Sequence, residues 1–203
     1  MHQEGVFMVF NFREFSKVNL ACGRNPLNKF PSPWLNVDVS PDIADFCSDV
    51  RQLPAEWNNY FSEVRASHVL EHLFLNDMQA AVLEWARVIK PGGTIRIIVP
   101  DVKIIAQSLL IGTDPKSRNS ESIKETTAVF AQIYGVGYDS ASTEHPWRHR
   151  FMFSELTLSE LLASAGIFDQ IQIYAKSEDP AASFGIVDDS QNCFSLCIKA
   201  RKI

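Results

Sequence analysis

Short apolar runs recur along this chain and constrain its fold more than any other feature. Two amphipathic helices are predicted among them at 76–90 and 157–165, because apolar residues recur there at helical spacing. Strands that alternate with helices predict a largely parallel sheet covered on both faces. The predicted strands, rich in β-branched residues or alternating in polarity, are 16–22, 34–39, 43–50, 62–70, 93–100, 169–175 and 193–200.

Both helices carry start and stop signals. Asn76 and Thr157 are predicted to cap them, because each is followed three residues later by a glutamine or glutamate, as in a capping box. The Pro-Gly-Gly at 91–93 and the glycine at Gly166 are predicted to end them. A further helix is predicted within 123–137, ahead of a Gly-x-Gly.

The overall composition limits the class of protein. A length of 203 residues fits one domain, 1–203, and 46% apolar residues are enough for a sizeable core. A net charge of −5 argues against a nucleic-acid partner. No apolar run approaches the roughly 20 residues needed to span a bilayer, and the N-terminus lacks the pattern of a signal peptide. Four cysteines without a Cys-x-x-Cys pair predict reduced thiols and a cytoplasmic location.

A glycine and an aspartate stand at the ends of the first two predicted strands. Gly23 follows the first strand, and Asp38 closes the second. Ligands of an open parallel sheet bind beyond the carboxyl ends of its strands. A glycine there lets a ligand approach the backbone, and the neighbouring acid can accept hydrogen bonds from both hydroxyls of a ribose. Each residue alone is also typical of a turn glycine or of a capping acid.

The strand ends belong to a longer ordered series: "NLACG", "LNVDVS", "CSDVRQLP", "SHVLEHL" and "VIKPGGTIRIIVPD". This series resembles the class I S-adenosylmethionine-dependent methyltransferases, in particular small methyltransferase-11-like proteins predicted to act in polysaccharide biosynthesis. The resemblance covers about 17–101 and resumes at "HRFMFSELTLSELLASAG". It implies an α/β, Rossmann-like, doubly wound and mostly parallel seven-stranded sheet with an antiparallel last strand. It also implies S-adenosyl-L-methionine as the cofactor.

The resemblance assigns cofactor contacts residue by residue. It also exposes departures, because Ala21 and Asn25 stand where the family usually has glycine, and the first helix is short or absent. These departures keep open a non-catalytic S-adenosylmethionine-binding protein as an alternative. The implied contacts are the methionine loop Leu20, Ala21, Cys22 and Gly23, the ribose acid Asp38 with Val39, the adenine-edge pair Asp49 and Val50, and Ser67 and His68 beside the amino-acid moiety.

Methyl transfer to a hydroxyl requires a base near the acceptor. The candidate catalytic residues are His72, Asp101 and His149, with His145 as a further histidine of the same region. Each has a structural alternative: a helix-entry contact for His72, a helix cap for Asp101 and loop packing for His149.

A zinc peptidase is the rival interpretation of "HVLEH". Its spacing, His68-x-x-Glu71-His72, matches a signature in which two histidines on one helix face bind zinc. The motif requires a helix, whereas here a strand is predicted to run into it. We therefore predict that the protein binds no metal.

The segment 112–148 interrupts the strand–helix rhythm and is predicted to cover the substrate side of the pocket. It carries Tyr138, Glu144, Trp147 and Arg148, a mixture suited to gripping a polar acceptor. A sugar, a glycan precursor or another small metabolite is the favoured acceptor, although no residue selects among them. The sequence predicts nothing about oligomeric state.

Overall fold

The computed structural model describes residues 10–23, 29–111, 123–135, 148–186 and 194–203. The strands are β1 Lys17–Leu20, β2 Trp34–Asp38, β3 Phe46–Cys47, β4 Phe61–Ser67, β5 Ile89–Pro100, β6 Phe168–Ile173 and β7 Ser195–Lys202. The helices are α1 Leu75–Val88, α2 Val102–Ile111, α3 Ile123–Tyr134, α4 Glu155–Ser164 and the short α5 Pro180–Ser183. No helix of the described segments is long and apolar enough to cross a membrane.

The strands form one seven-stranded sheet in the order β3-β2-β1-β4-β5-β7-β6. The pairs from β3 to β5 are parallel, whereas β7 runs antiparallel to both β5 and β6. The predicted doubly wound sheet with an antiparallel last strand is confirmed. The chain builds outward from β1 to β3 and then crosses to β4 on the other side of β1. The carboxyl ends of β1 and β4 therefore flank the switch point, where open α/β sheets bind ligands.

Several element boundaries differ from the sequence-based predictions. Helix α1 begins after Phe74, which provides no side-chain cap, so the predicted cap at Asn76 is wrong. Ser154, rather than Thr157, caps α4, and Thr157 takes the third position of a reciprocal capping box. The third strand covers only Phe46–Cys47 of the predicted 43–50. At α4, Ser154 and Thr157 are both good cap residues, so the local sequence does not select between them.

The Pro-Gly-Gly at 91–93 lies within a strand, and α1 already ends at Val88, so the prediction that these residues end the helix is wrong. Strand β5 begins at Ile89, directly after α1. A Cβ on Gly93 would lie 2.7 Å from Cγ2 of Ile89 and 2.9 Å from the carbonyl oxygen of Ser62. The close approach of β4 and β5 therefore requires a glycine at this position.

One face of the sheet holds the main hydrophobic core. Helices α1 and α4 supply its outer layer, with Trp85, Met78 and Leu158 completely or almost completely buried against the strands. The strands contribute alternate residues, as expected for a half-covered face. Their buried side chains include Val18, Leu20, Leu35, Val37, Val64, Ala66, Ile95, Ile97, Leu196 and Ile198.

The opposite face carries a row of polar residues that runs from strand to strand. Five of them stand in register across β2, β1, β4, β5 and β7: Asn36, Asn19, Arg65, Arg96 and Lys199. The segment after β6 packs on this row through Tyr174 and Asp179 rather than through a long helix. Helices α1 and α4 therefore cover one face, whereas among the described residues a polar segment with the short helix α5 packs on the other.

Candidate functional site

The loop after β1 and the end of β2 meet as the sequence predicts. The amide of Gly23 donates a 2.9 Å hydrogen bond to Oδ2 of Asp38, and the amide of Ser40 donates one of 2.9 Å to Oδ1. Ala21 and Gly23 both have positive φ, 50° and 75°. Two left-handed residues turn the backbone sharply at the strand end and aim the Gly23 amide at the carboxylate. Asp38 is 5% exposed, and each of its oxygens can accept a second hydrogen bond.

The remaining residues of the predicted cofactor loops differ in which of their atoms can contact a ligand. The side chains of Leu20 and Val50 lie in the main core, so only their backbone can face a ligand. Val39 is largely exposed beyond the end of β2. Burial, reinforced by the carboxylates of Asp38 and Asp45, raises the pKa of the Cys22 thiol to about 12. Cys22 therefore stays protonated and packs as a small apolar side chain.

The carboxylate of Asp49 is bound by Arg51, two residues further along the chain. Its carboxylate accepts hydrogen bonds of 2.7 to 3.1 Å from the guanidinium of Arg51. These bonds hold the pKa of the Asp49 carboxyl below its ordinary value. An adenine at this position would meet an acid that Arg51 already orients and partly neutralises.

The end of β4 presents one unsatisfied hydroxyl. Oγ of Ser67 is buried and has no hydrogen-bond partner within the described part of the chain. The next residue, His68, has a φ of 53°, and its ring lies 3.1 Å from Oγ of Ser195 through Nε2. A buried hydroxyl without a partner is costly in an apolar site and marks a place for a polar ligand group. The site therefore fits the polar end of a cofactor beside β4.

Two candidate catalytic histidines, distant in sequence, lie side by side. The rings of His72 and His149 are 4.9 Å apart between centroids, with 62° between their planes. Hydrogen bonds join their two segments: the carbonyl of Glu71 accepts from the amides of Arg150 at 2.6 Å and Phe151 at 3.3 Å. The guanidinium of Arg150 returns a 3.1 Å bond to the carbonyl of His72. This backbone pairing brings the late His-Arg segment to the switch point.

Each histidine is oriented by a backbone carbonyl. Nδ1 of His72 lies 3.1 Å from the carbonyl oxygen of Arg148, and Nδ1 of His149 lies 2.7 Å from that of Gln132 in α3. The amide of His149 also donates to the carbonyl of Tyr134. The C-terminal turn of α3 therefore positions His149.

A buried glutamate lies beneath these rings. Glu71 is completely buried, and its Oε1 is 2.9 Å from Nδ1 of His68. Burial alone would raise the pKa of the Glu71 carboxyl, but His68, with help from His72 and His149, holds it below its ordinary value. Burial lowers the pKa of His149 more than Glu71 raises it, so this ring is neutral at pH 7. The group thus combines a carboxylate with a neutral imidazole.

Asp101 has the role of a helix cap. Its Oδ1 accepts a 2.8 Å hydrogen bond from the amide of Lys103 at the start of α2. It also borders a cleft of about 820 Å³ between β6, β7 and the start of α4, whose lining includes Ser154, Tyr174 and Lys176. Asp101 is the one predicted site residue in that lining, so this cleft is separate from the strand ends of β1 and β2.

The zinc peptidase geometry is absent. Residues 70–72 form a 3-10 turn, and α1 begins only at Leu75. His68 lies at the end of β4, and its ring contacts Ser195 and Glu71, whereas His72 lies against His149. The two histidines of the motif therefore do not share one helix face, which the peptidase mechanism requires.

Glu71 is the site residue that the methyltransferase-based assignments missed. Its signal was an acid within the apolar stretch "HVLEHL", where a charged side chain must find a partner if it is buried. Tyr138, Glu144, His145 and Trp147, predicted on the acceptor side, lie outside the described residues, as does Asn25.

Comparisons with known proteins agree with this arrangement. Residues 21–97 match a family model described as a methyltransferase domain. No curated protein matches the chain significantly. Solved structures with a similar fold include a SAM-dependent methyltransferase from Archaeoglobus fulgidus, with a TM-score of 0.53 and 15% identity over 94% of this chain and 88% of that one.

Two further structures extend the likeness. A possible histamine N-methyltransferase from Thermotoga maritima has a TM-score of 0.51 and 15% identity, over 92% of this chain and 82% of its own. A Burkholderia thailandensis 1,6-didemethyltoxoflavin-N1-methyltransferase, solved with bound 1,6-didemethyltoxoflavin and S-adenosylhomocysteine, has a TM-score of 0.50 and 14% identity, over 93% of this chain and 71% of its own. At such identities the structures show the fold alone. Together with the matched domain, they support a Rossmann-like methyltransferase fold for this chain.

Proposed function

We propose that this protein transfers a methyl group from S-adenosylmethionine to a small polar acceptor, with a sugar or another small metabolite favoured. The observation that carries the proposal is the hydrogen bond between the Gly23 amide and the Asp38 carboxylate at the switch point of the sheet. It joins the close-approach glycine and the ribose acid into one rigid cradle. The match of 21–97 to a methyltransferase domain supports the same conclusion.

The chain's own residues would divide the work as follows. Asp38 would accept hydrogen bonds from the ribose hydroxyls through its remaining lone pairs. Oγ of Ser67 would hydrogen-bond to the amino-acid end of the cofactor. When bound, S-adenosylmethionine supplies an electrophilic methyl group on a sulfonium. His149 would face the acceptor together with His72 and promote loss of its proton, because the neutral imidazole of His149 is a suitable base at pH 7. Asp101 is better explained as the cap of α2.

We also propose that the segment 112–148 closes the acceptor side. Its described part, α3, supports this because the carbonyls of Gln132 and Tyr134 hold His149. Hydrogen exchange of α3 amides would then slow when cofactor and acceptor are both present. Equal exchange with and without both ligands would refute the cover.

We likewise propose that the protein acts in polysaccharide biosynthesis and is located in the cytoplasm. Among the described residues, Cys22, Cys47 and Cys197 form no disulfide with one another.

Calorimetric titration of the purified chain with S-adenosylhomocysteine tests the cofactor site. Release of S-adenosylhomocysteine from S-adenosylmethionine in the presence of pooled sugars, amines and hydroxy acids then tests turnover. Binding with turnover supports the enzyme. Binding without turnover in any pool favours the alternative, a non-catalytic cofactor-binding protein, for which Ala21 in place of the usual glycine is the motivation. Absence of binding at saturating ligand would refute both.

A further inference from the structure

The residues Glu71, His72 and His149, which we name the EHH cluster, carry the ligand set of a transition-metal site. One ligand atom from each lies within 4.8 Å of the other two, and the described part of the chain holds this one such group. Two imidazoles and one carboxylate bind metal in catalytic zinc sites and in non-haem iron sites, where further positions remain open for water or substrate.

The carboxylate of Glu71 has an ion-pair contact with His68 but no aligned hydrogen bond among the described residues. The residue is 0% exposed, and neither Oε1 nor Oε2 has a hydrogen-bond partner among the described residues. Nδ1 of His68 is 2.9 Å away, close enough for an ion pair but not aligned as a hydrogen bond. A carboxylate offers about four acceptor positions. A cation bound to it would supply the missing compensation for burial.

Both histidines are oriented as metal ligands usually are. A carbonyl oxygen can only accept, so Nδ1 of His72 against Arg148 and Nδ1 of His149 against Gln132 both carry the proton. The lone pair of each ring is then on Nε2. Metal-binding histidines commonly donate their second ring N–H to a carbonyl in this way, which fixes the tautomer and the ring orientation.

We infer that Glu71, His72 and His149 bind one divalent transition-metal ion at the acceptor side of the site. The catalytic role of this ion rests on the proposed function, whereas its binding does not. The ion would coordinate the acceptor oxygen and lower the pKa of its hydroxyl group. Because Nε2 of each ring would then bind the ion, the hydroxyl proton would pass to solvent water rather than to an imidazole. The oxygen lone pair would form a bond to the methyl carbon as the bond from that carbon to the sulfonium sulfur of S-adenosylmethionine breaks, and S-adenosylhomocysteine would leave. His68, which contacts Glu71 from the other side, would hold the carboxylate in place.

A metal-free network is the competing explanation. In that case a protonated His68 balances Glu71, and the neighbouring rings only pack. The two explanations differ in metal uptake, which the sequence analysis predicted to be absent. The same measurement therefore tests that earlier prediction.

The test uses the full untagged chain, treated with chelator and then dialysed. Co²⁺, Zn²⁺ and, as a hard-cation control, Mg²⁺ are titrated by calorimetry, and bound metal is counted by elemental analysis. Co²⁺ also reports its ligands through visible d–d absorption. We expect one equivalent of Co²⁺ or Zn²⁺ and far weaker binding of Mg²⁺, because imidazole ligands favour transition metals.

Variants identify the ligands. Loss of a residue that supports a metal ligand typically weakens metal binding by roughly 10–100-fold. Loss of a ligand itself should weaken it at least as much. We expect this for His149→Ala and for Glu71→Gln. His149 is only partly buried and is the safer variant if Glu71→Gln fails to fold. The exposed Glu155→Gln serves as the matched acidic control and should retain full binding. No uptake by the wild-type chain, or stoichiometric uptake that persists in His149→Ala, would overturn the inference.

The result is separable from the proposed function. Titration with S-adenosylhomocysteine in the presence of chelator measures the cofactor site alone. Cofactor binding without metal uptake would refute the metal site and leave the methyltransferase proposal intact. Metal uptake without cofactor binding would refute the methyltransferase proposal and leave the metal site intact.

Discussion

Arg65 donates a 3.0 Å hydrogen bond from Nε to Oδ1 of Asp179, and both side chains are almost completely buried on the polar face of the sheet. Tyr174 adds a 2.7 Å hydrogen bond to Oδ2, and the amide of Ala181 adds one of 3.0 Å to Oδ1. The ring of Phe30 lies 4.9 Å from the guanidinium. Burial, with the charge of Asp179, raises the pKa of Tyr174, so its hydroxyl remains a donor. This ion pair holds the segment after β6 against the centre of the sheet.

Asp179→Ala should destabilise the fold by about 3–5 kcal/mol, because it leaves the charge of Arg65 buried without its partner. The double variant Arg65→Met/Asp179→Leu should lose less, since it removes both charges. Urea denaturation followed by circular dichroism measures both. Asp169→Ala removes an exposed partner of Arg201 and should change stability little. Equal losses in the two aspartate variants would contradict the role assigned to the buried pair.

Asp38→Ala should weaken the binding of S-adenosylhomocysteine by about 1–3 kcal/mol, through loss of charge-assisted hydrogen bonds to the ribose. Calorimetry on the two proteins gives the difference directly. Asp42→Ala removes an exposed carboxylate four positions further on and is the matched control. Asp38→Asn keeps one oxygen acceptor and should lose less than the alanine variant. Unchanged affinity in Asp38→Ala would remove this residue from the cofactor site.

Iodoacetamide at pH 8 should label Cys47 and leave Cys22 unmodified. The alkylating agent reacts with the thiolate, and burial raises the pKa of Cys22 to about 12, whereas Cys47 is exposed. Peptide mapping by mass spectrometry quantifies each site. Labelling of Cys22 should appear only in denaturant, where the pKa of its thiol returns to the ordinary range. Rapid labelling of Cys22 in the folded protein would show that the loop after β1 is open.

Ala21→Gly should leave stability unchanged or raise it by up to about 1 kcal/mol. The left-handed conformation of Ala21 costs about 1–2 kcal/mol, and glycine removes this strain but adds a smaller entropic cost of roughly 0.5–1 kcal/mol. Ala66→Gly, in the interior of β4, should be clearly destabilising, because it adds the entropic cost and leaves a space in the core. Thermal and urea unfolding compare the two. A large loss in Ala21→Gly would mean that the alanine methyl group has a packing role.

The sequence was sufficient where a residue's role depends on local chemistry. The strand runs, the stop at Gly23 and the acid at Asp38 follow from β-propensity and from what a strand end can present, and the sheet confirms their placement. Helix ends were predicted less well, because Ser154 and Thr157 are equally good caps in sequence and tertiary packing selects between them. Likewise, Asn19, Arg65 and Arg96 each alternate with apolar residues along their own strands, but their alignment across the sheet depends on strand order.

Only the tertiary structure decided which distant residues meet. The pairing of Glu71 with Arg150 and Phe151 brings His149 beside His72, and no local pattern encodes a contact across so many residues. The same holds for Arg65 and Asp179, which are 114 positions apart. The sequence "HVLEH" is compatible with a helix or with the end of a strand. In the structure it follows the end of β4 and continues into a 3-10 turn. Local preference determines the elements, whereas burial of the common core determines which side chains share a site.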